Sequence, residues 1–186
     1  MPMKSKFRNT GKHQSRGFSL VEMMIAIAVL AFGMSALLGL FMTAMMNNNR
    51  SKSDSSSTMI AQAVLEKIAA QPSGPATAAI TMRDCNPAGP VDWALSTATG
   101  GTAQLNGTQE IDFTVAAVPG YSMQFVSCGS GGRQLIYDVR WAVQNVSNNA
   151  RVVTVGARPL GAAGGGQSRA NLFALPITLR TVGGVQ

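Results

Sequence analysis

Residues 16–32 read RGFSLVEMMIAIAVLAF. A basic residue, a glycine and a phenylalanine open the run, and the rest is apolar except for Ser19 and Glu22. From Met23 to Asn49 there is no charged side chain, and residues 18–71 contain no proline. As a helix, the stretch from Phe18 to Met46 is long enough to cross ~30 Å of hydrocarbon at ~1.5 Å per residue. Gly33 and Gly39 are its soft points, each costing about 1 kcal/mol relative to alanine. Glu22 is the anomaly. A carboxylate inside a membrane helix costs ~2.5–3.5 kcal/mol on insertion scales, so one found there is usually paired or functional.

Working outward toward the N-terminus, Lys4, Lys6, Arg8, Lys12 and Arg16 precede the run with no acidic residue among them. The chain of 186 residues carries a net charge of +7, which by itself would point to nucleic acid. Without residues 1–17, ten basic and eight acidic side chains remain, so the body is close to neutral. A basic leader ahead of an apolar helix is a positive-inside signal that holds the N-terminus in the cytoplasm. Everything after the helix then lies across the membrane, in an oxidising compartment. Cys85 and Cys128, the only cysteines, fall there. A bridge between them would close a loop of about 44 residues, worth roughly 3–4 kcal/mol by chain entropy. Two free thiols are the alternative.

Working outward toward the C-terminus, Ile60, Val64 and Ile68 recur at i, i+4 and i+8, with Ala61 and Leu65 beside them. That spacing predicts an amphipathic helix. Pro72, Ser73, Gly74 and Pro75 end it. One helix over residues 18–70 is therefore expected, apolar all round in its first half and amphipathic in its second, although the polar stretch 47–57 admits a break. Residues 72–110 read as loop. Then the period becomes two. IDFTVAAV places Ile111, Phe113 and Val115 on one face. RQLIYDVRWAV places Leu135, Tyr137, Val139, Trp141 and Val143 on one face, with Asp138, Arg140 and Gln144 on the other along with Ile136 and Ala142. With RVVTVGA after a polar turn, it predicts an antiparallel hairpin. RPLGAAGGGQSRAN reads as a flexible loop. A last strand in ANLFALPITLRTV is demoted to an edge by Pro176. The expected fold class is α+β: a long N-terminal helix packed on a small antiparallel β-sheet domain.

The order basic leader, Gly17, Phe18, Glu22, apolar helix resembles the class III signal of type IV prepilins and type II secretion pseudopilins. A secretory signal peptide, in contrast, is cut after its apolar region. The resemblance implies that a prepilin peptidase and N-methyltransferase cuts after Gly17 and methylates the new N-terminal Phe18. It implies that Glu22, at the fifth mature position, pairs with the Phe18 amine of a neighbouring subunit and sets axial register. Residues 1–17 would then be a cleaved leader, 18–46 the transmembrane and filament-core helix, 47–71 its amphipathic continuation, and 72–186 a β-rich domain in the periplasm or outside. The implied partners are membrane lipid before assembly, an inner-membrane assembly platform, and other major and minor pilins. The strand pair YDVRWAV and RVVTVGA looks like that of PilV-like minor pilins. The 58 residues from Cys128 to the C-terminus are unlike major pilins, which often carry their disulfide close to that end.

The expected function is thus a minor-pilin-like subunit, entering or priming a filament for pilus biogenesis, adhesion, motility or DNA uptake. A minor pseudopilin of type II secretion is the alternative within the family. A membrane-anchored periplasmic enzyme is the alternative from another class. Against it, the only histidine is His13 in the leader, there is no Cys-x-x-Cys, and GAAGGGQS lacks the Lys-Ser/Thr ending of a phosphate loop. No enzyme activity, cofactor or metal is expected; Asp84, Asp92, Glu110 and Asp112 are too scattered for a calcium loop. The eleven methionines are adaptable packing residues. Arg133, Arg140, Arg151 and Arg158 read first as solvated strand-face arginines and only secondarily as a nucleic-acid contact, which would weaken steeply with salt. Asn106-Gly107-Thr108 and Asn145-Val146-Ser147 match a glycosylation acceptor, with a turn role as the alternative.

Overall fold

A single α-helix, α1, runs from Leu20 to Ala69 in the computed structural model, which describes residues 17–71, 80–128, 134–148, 150–162 and 175–184. Two compact units divide the chain, Met1–Ala44 and Met45–Gln186. The low-propensity stretch NNNRSKSDSSS stays helical. Its hydroxyls bond back to the helix: Ser53 Oγ donates to the Arg50 carbonyl at 2.9 Å and Ser57 Oγ to the Ser53 carbonyl at 2.9 Å. With their donors satisfied, Ser53 and Ser57 are buried alongside Ile60, Ala61, Val64 and Ile68. The buried face expected from Ile60 onward thus begins two turns earlier, in serines.

Among the described residues, six strands come after the helix. β1 (Ile80–Arg83) and β2 (Asp92–Leu95) pair antiparallel as a two-stranded sheet. A short 3-10 turn covers Thr102–Gln104. β3 (Ser122–Val126), β4 (Leu135–Ser147), β5 (Ala150–Ala162) and β6 (Ile177–Gly184) form a four-stranded antiparallel sheet in that order. The predicted hairpin is β4–β5, paired from Leu135↔Ala162 to Ser147↔Ala150. β6 pairs with β5 and is an edge strand that starts directly after Pro176. Three expectations are corrected. Residues 72–110 are not all loop, since β1 and β2 lie within them. Residues 111–118 form no strand, and the strand before the hairpin is β3. The segment expected to loop after residue 157 continues as strand through Ala162; the rest of that expected loop, 163–171, lies outside the described residues.

One sheet face carries the main core. Tyr137, Val139, Trp141 and Val143 of β4, Val153, Val155 and Ala157 of β5, and Met123 and Phe125 of β3 pack with Ile60, Ala61, Val64 and Ile68 of α1. Ten or so such side chains, at about 1.5–3 kcal/mol each when fully buried, hold the second half of α1 to the sheet. The alternation along β4 predicts water on the opposite face. Instead, Ile111 and Phe113 close over Ala142 as a second small cluster. Gly156 allows this: a Cβ there would lie 2.8 Å from Ile111 Cβ. The covering segment is fixed by Gln104, which is fully buried. Its Nε2 donates to the carbonyls of Tyr121 (2.9 Å) and Trp141 (2.7 Å), and its Oε1 accepts from the Val118 amide at 3.3 Å. Gly101, at φ 74°, sits where a Cβ would strike the Trp141 carbonyl.

Candidate functional site

Gly17, Phe18 and Ser19 have no regular secondary structure, and the first helical amide bond, from Met23 N to the Ser19 carbonyl, measures 3.2 Å. The Gly17–Phe18 peptide therefore lies just outside the helix, with nothing within 4 Å of where a Gly17 Cβ would point. Phe18 is 86% exposed. Glu22 lies in the first turn of α1, where a negative charge suits the positive end of the helix dipole.

Every side chain from Leu20 to Met46 is exposed. The helix has the length and hydropathy needed to cross a membrane. Three polar side chains fall in this stretch: Glu22, Ser35 and Thr43. Ser35 Oγ donates to the Phe32 carbonyl at 2.8 Å and Thr43 Oγ1 to the Gly39 carbonyl at 2.9 Å. Both hydroxyls are thus satisfied within the helix, as an apolar surrounding requires. Glu22 alone has no hydrogen bond or ion pair among the described residues. Among the described residues, its carboxylate is the one polar side-chain group of the stretch without a partner.

The leader basic residues and Arg133 lie outside the described residues, as do Pro72, Ser73, Gly74 and Pro75. Cys85 and Cys128 are joined by a disulfide, with Cα atoms 5.1 Å apart. The bridge links the end of β1 to the end of β3, where the Cys85 amide also donates to the Val126 carbonyl at 3.1 Å. Beside it, Asp84 is only 2% exposed. Its Oδ1 accepts from the Val91 amide (2.7 Å) and the Asn86 amide (3.2 Å), and its Oδ2 from Trp93 Nε1 (3.1 Å). Burial pushes this carboxyl up, but the bonds from Val91, Trp93 and Asn86 outweigh it and hold the pKa below the ordinary aspartate value. Asp84 closes the β1–β2 loop.

The strand arginines are not a solvated basic face. Arg151 is wholly buried. Its Nη2 donates to the Ile68 carbonyl at 2.7 Å and to the Gln71 carbonyl, and its Nη1 to the Thr97 carbonyl at 3.4 Å. It meets the carbonyl end of α1, the negative end of the dipole, in place of a carboxylate. Desolvation lowers its pKa. On the other sheet face Arg140 makes a two-pronged pair with Asp138, Nε to Oδ1 at 3.1 Å and Nη2 to Oδ2 at 3.0 Å. Its Nη1 donates to the carbonyls of Val115 (2.8 Å) and Asp112 (3.3 Å). Arg158 approaches the same carboxylate through Nε (3.2 Å) and Nη2 (3.1 Å). Both guanidinium groups lie over the Phe113 ring, at 5.1 and 4.8 Å from its centre. Alternation along β4 disguises this arrangement: i, i+2 polar residues suggest a wet face, and only the loop over it shows otherwise. Asn106 serves as a turn residue, its Oδ1 accepting from the Thr108 and Glu110 amides and the Thr108 hydroxyl. Asn145 instead lies in β4, opposite Arg151.

Residues 12–38 match the family model described as the prokaryotic N-terminal methylation motif. No curated protein and no solved structure matches the chain.

Proposed function

We propose that this type IV prepilin-like chain is a structural subunit of the minor-pilin kind, most like the PilV-type subunits, rather than an enzyme. Its methylation motif implies processing by a prepilin peptidase and assembly with other pilins. The apolar helix fits single-pass anchoring before assembly. In this reading the cut after Gly17 frees an amine at Phe18, which is then methylated and stays positive near neutral pH. The observation that carries the reading is that Glu22 has no partner among the described residues, in an apolar stretch whose other polar side chains, Ser35 and Thr43, are internally satisfied. In a filament, the Phe18 amine of a neighbouring subunit supplies the missing partner. The charge pair sets register, and contact among the exposed Leu, Ile, Val, Met and Phe side chains supplies most of the cohesion.

Mass spectrometry of the N-terminal peptide, taken from membranes and from sheared filaments, tests this. A peptide starting at N-methylated Phe18 in the sheared fraction is the expected result. The same peptide confined to membranes would move the subunit to an initiation complex or to a secretion pseudopilus. An intact Met1 peptide in both fractions would overturn the reading.

A further inference from the structure

The face of the sheet turned away from α1 carries a cleft of about 370 Å³ beside the Asp138–Arg140–Arg158 cluster. Trp93, Leu160 and Gln124 line it together with those three charged residues. The volume falls near the lower end of small-molecule pockets, roughly 300–1,000 Å³. Two guanidinium groups share the Asp138 carboxylate, and the Asp112 carboxylate also feels the charge of Arg140.

The hydrogen bonds show which guanidinium donors are left over. Asp138 is saturated from both sides, and Arg140 is committed to Asp138, Asp112 and Val115. Arg158 is different. It meets Asp138 with its side edge, Nε and Nη2. Its Nη1 has no hydrogen-bond partner among the described residues, and its side chain is 35% exposed. The end-on fork of Nη1 and the second Nη2 hydrogen is thus unused, held in place by Asp138 on one edge and Phe113 beneath. That fork matches a carboxylate bidentately. Beside it, Leu160, 37% exposed, and the ring of Trp93 offer an apolar wall. Trp93 is itself oriented by its bond to Asp84. The Gln124 amide, exposed and with no hydrogen-bond partner among the described residues, is a further donor at the rim.

We propose that this cleft is a binding site for a carboxylate carried on a small apolar body, with Arg158 as the anion-binding residue and Trp93 and Leu160 as the wall. Such a group is supplied either by a free organic acid or by the C-terminal residue of a peptide chain. The volume, near the lower end for small-molecule pockets, favours the free acid.

The test uses the full-length protein in detergent, titrated with 3-phenylpropionate and with its neutral amide, and read by Trp fluorescence and by ligand-observed NMR. One of the two tryptophans lines the cleft and the other, Trp141, is buried in the core. The expected result is saturable binding of the acid, at least about tenfold tighter than the amide. Arg158→Gln should abolish that preference while Leu160→Ala weakens acid and amide alike. Because the acid-against-amide contrast is measured on the wild-type protein, it stands even if Arg158→Gln fails to fold. A tetrapeptide ending in phenylalanine, with free or amidated C-terminus, forms the second arm. A free-acid peptide that binds better than phenylpropionate supports the carboxylate site and assigns it to chain termini. Equal binding of acid and amide, or no saturable binding of any probe, overturns the proposal.

Discussion

Three ionisable residues, Glu22, Asp84 and Arg151, face the same difficulty of charge away from water, and each meets it differently. Glu22 has no partner among the described residues, and in the filament proposed above a second subunit supplies one. Glu22→Ala should leave cleavage after Gly17 and membrane insertion intact. It should lower recovery in sheared filaments about tenfold or more, equivalent to losing ~1.4 kcal/mol or more per contact; immunoblots of membrane and sheared fractions measure this. Asp84 is solved locally by three donors. Its folded pKa lies below its unfolded value of about 3.9, so its stabilisation is complete above roughly pH 4 and disappears as pH falls through the folded value. Asp84→Asn should cost about 1–3 kcal/mol near neutral pH, because an amide NH2 replaces an acceptor among donors. The same variant should flatten the acid limb of a stability profile taken by denaturant unfolding. Arg151 is solved by carbonyls at the end of α1. Nothing in its sequence context announces this, because an arginine at the start of RVVTVGA looks like any strand-face charge.

At the scale of elements, legibility tracks length and covering. α1 is plain in the sequence at its two ends, the apolar run over 18–46 and the i, i+4 spacing of Ile60, Val64 and Ile68, while the polar stretch 47–57 leaves open a break that the structure does not have. The β4–β5 hairpin is plain on its inner face, where Tyr137, Val139, Trp141 and Val143 alternate. Its outer face misleads because alternation records polarity, and polarity does not distinguish water from a loop that satisfies polar groups. β1 and β2 have four residues each and β3 five, too short for a period to stand out among prolines, glycines and threonines. IDFTVAAV does alternate, but its apolar residues plug the second cluster rather than pair as a strand. Gly156 is the element-level consequence: β5 needs a residue without a side chain where Ile111 and Phe113 descend. Gly156→Val should destabilise the domain by about 1–3 kcal/mol through overpacking, seen as a lowered thermal midpoint. It should also raise amide exchange over residues 104–118 more than over β6, which lies on the other side of β5.

For the whole chain, the N-terminal signal and the folded domain divide the information unequally. The signal is readable in a few residues because it is chemistry in order: leader charge, small residue, aromatic, carboxylate, apolar helix. The domain's cysteine pairing stays open at the level of sequence, because two cysteines allow a bridge without requiring one. The structure joins them across 43 positions. Cys85→Ser with Cys128→Ser should lower stability by roughly 3–4 kcal/mol, the value of that loop's closure entropy. Equilibrium unfolding of the oxidised protein against the double variant measures it.

That bridge also has a mechanical meaning. A protein pulled from its two ends lengthens only by the chain that lies outside closed loops. The Cys85–Cys128 loop removes 43 residue steps from the load path. At ~3.3–3.6 Å per residue, roughly 140–155 Å of extension is locked away. In single-molecule pulling the reduced protein should reach a contour length greater by about that amount, while the oxidised protein stops short. Segments inside the loop, including β2 and the turn at Thr102–Gln104, then carry no tension even after the strands around them have parted.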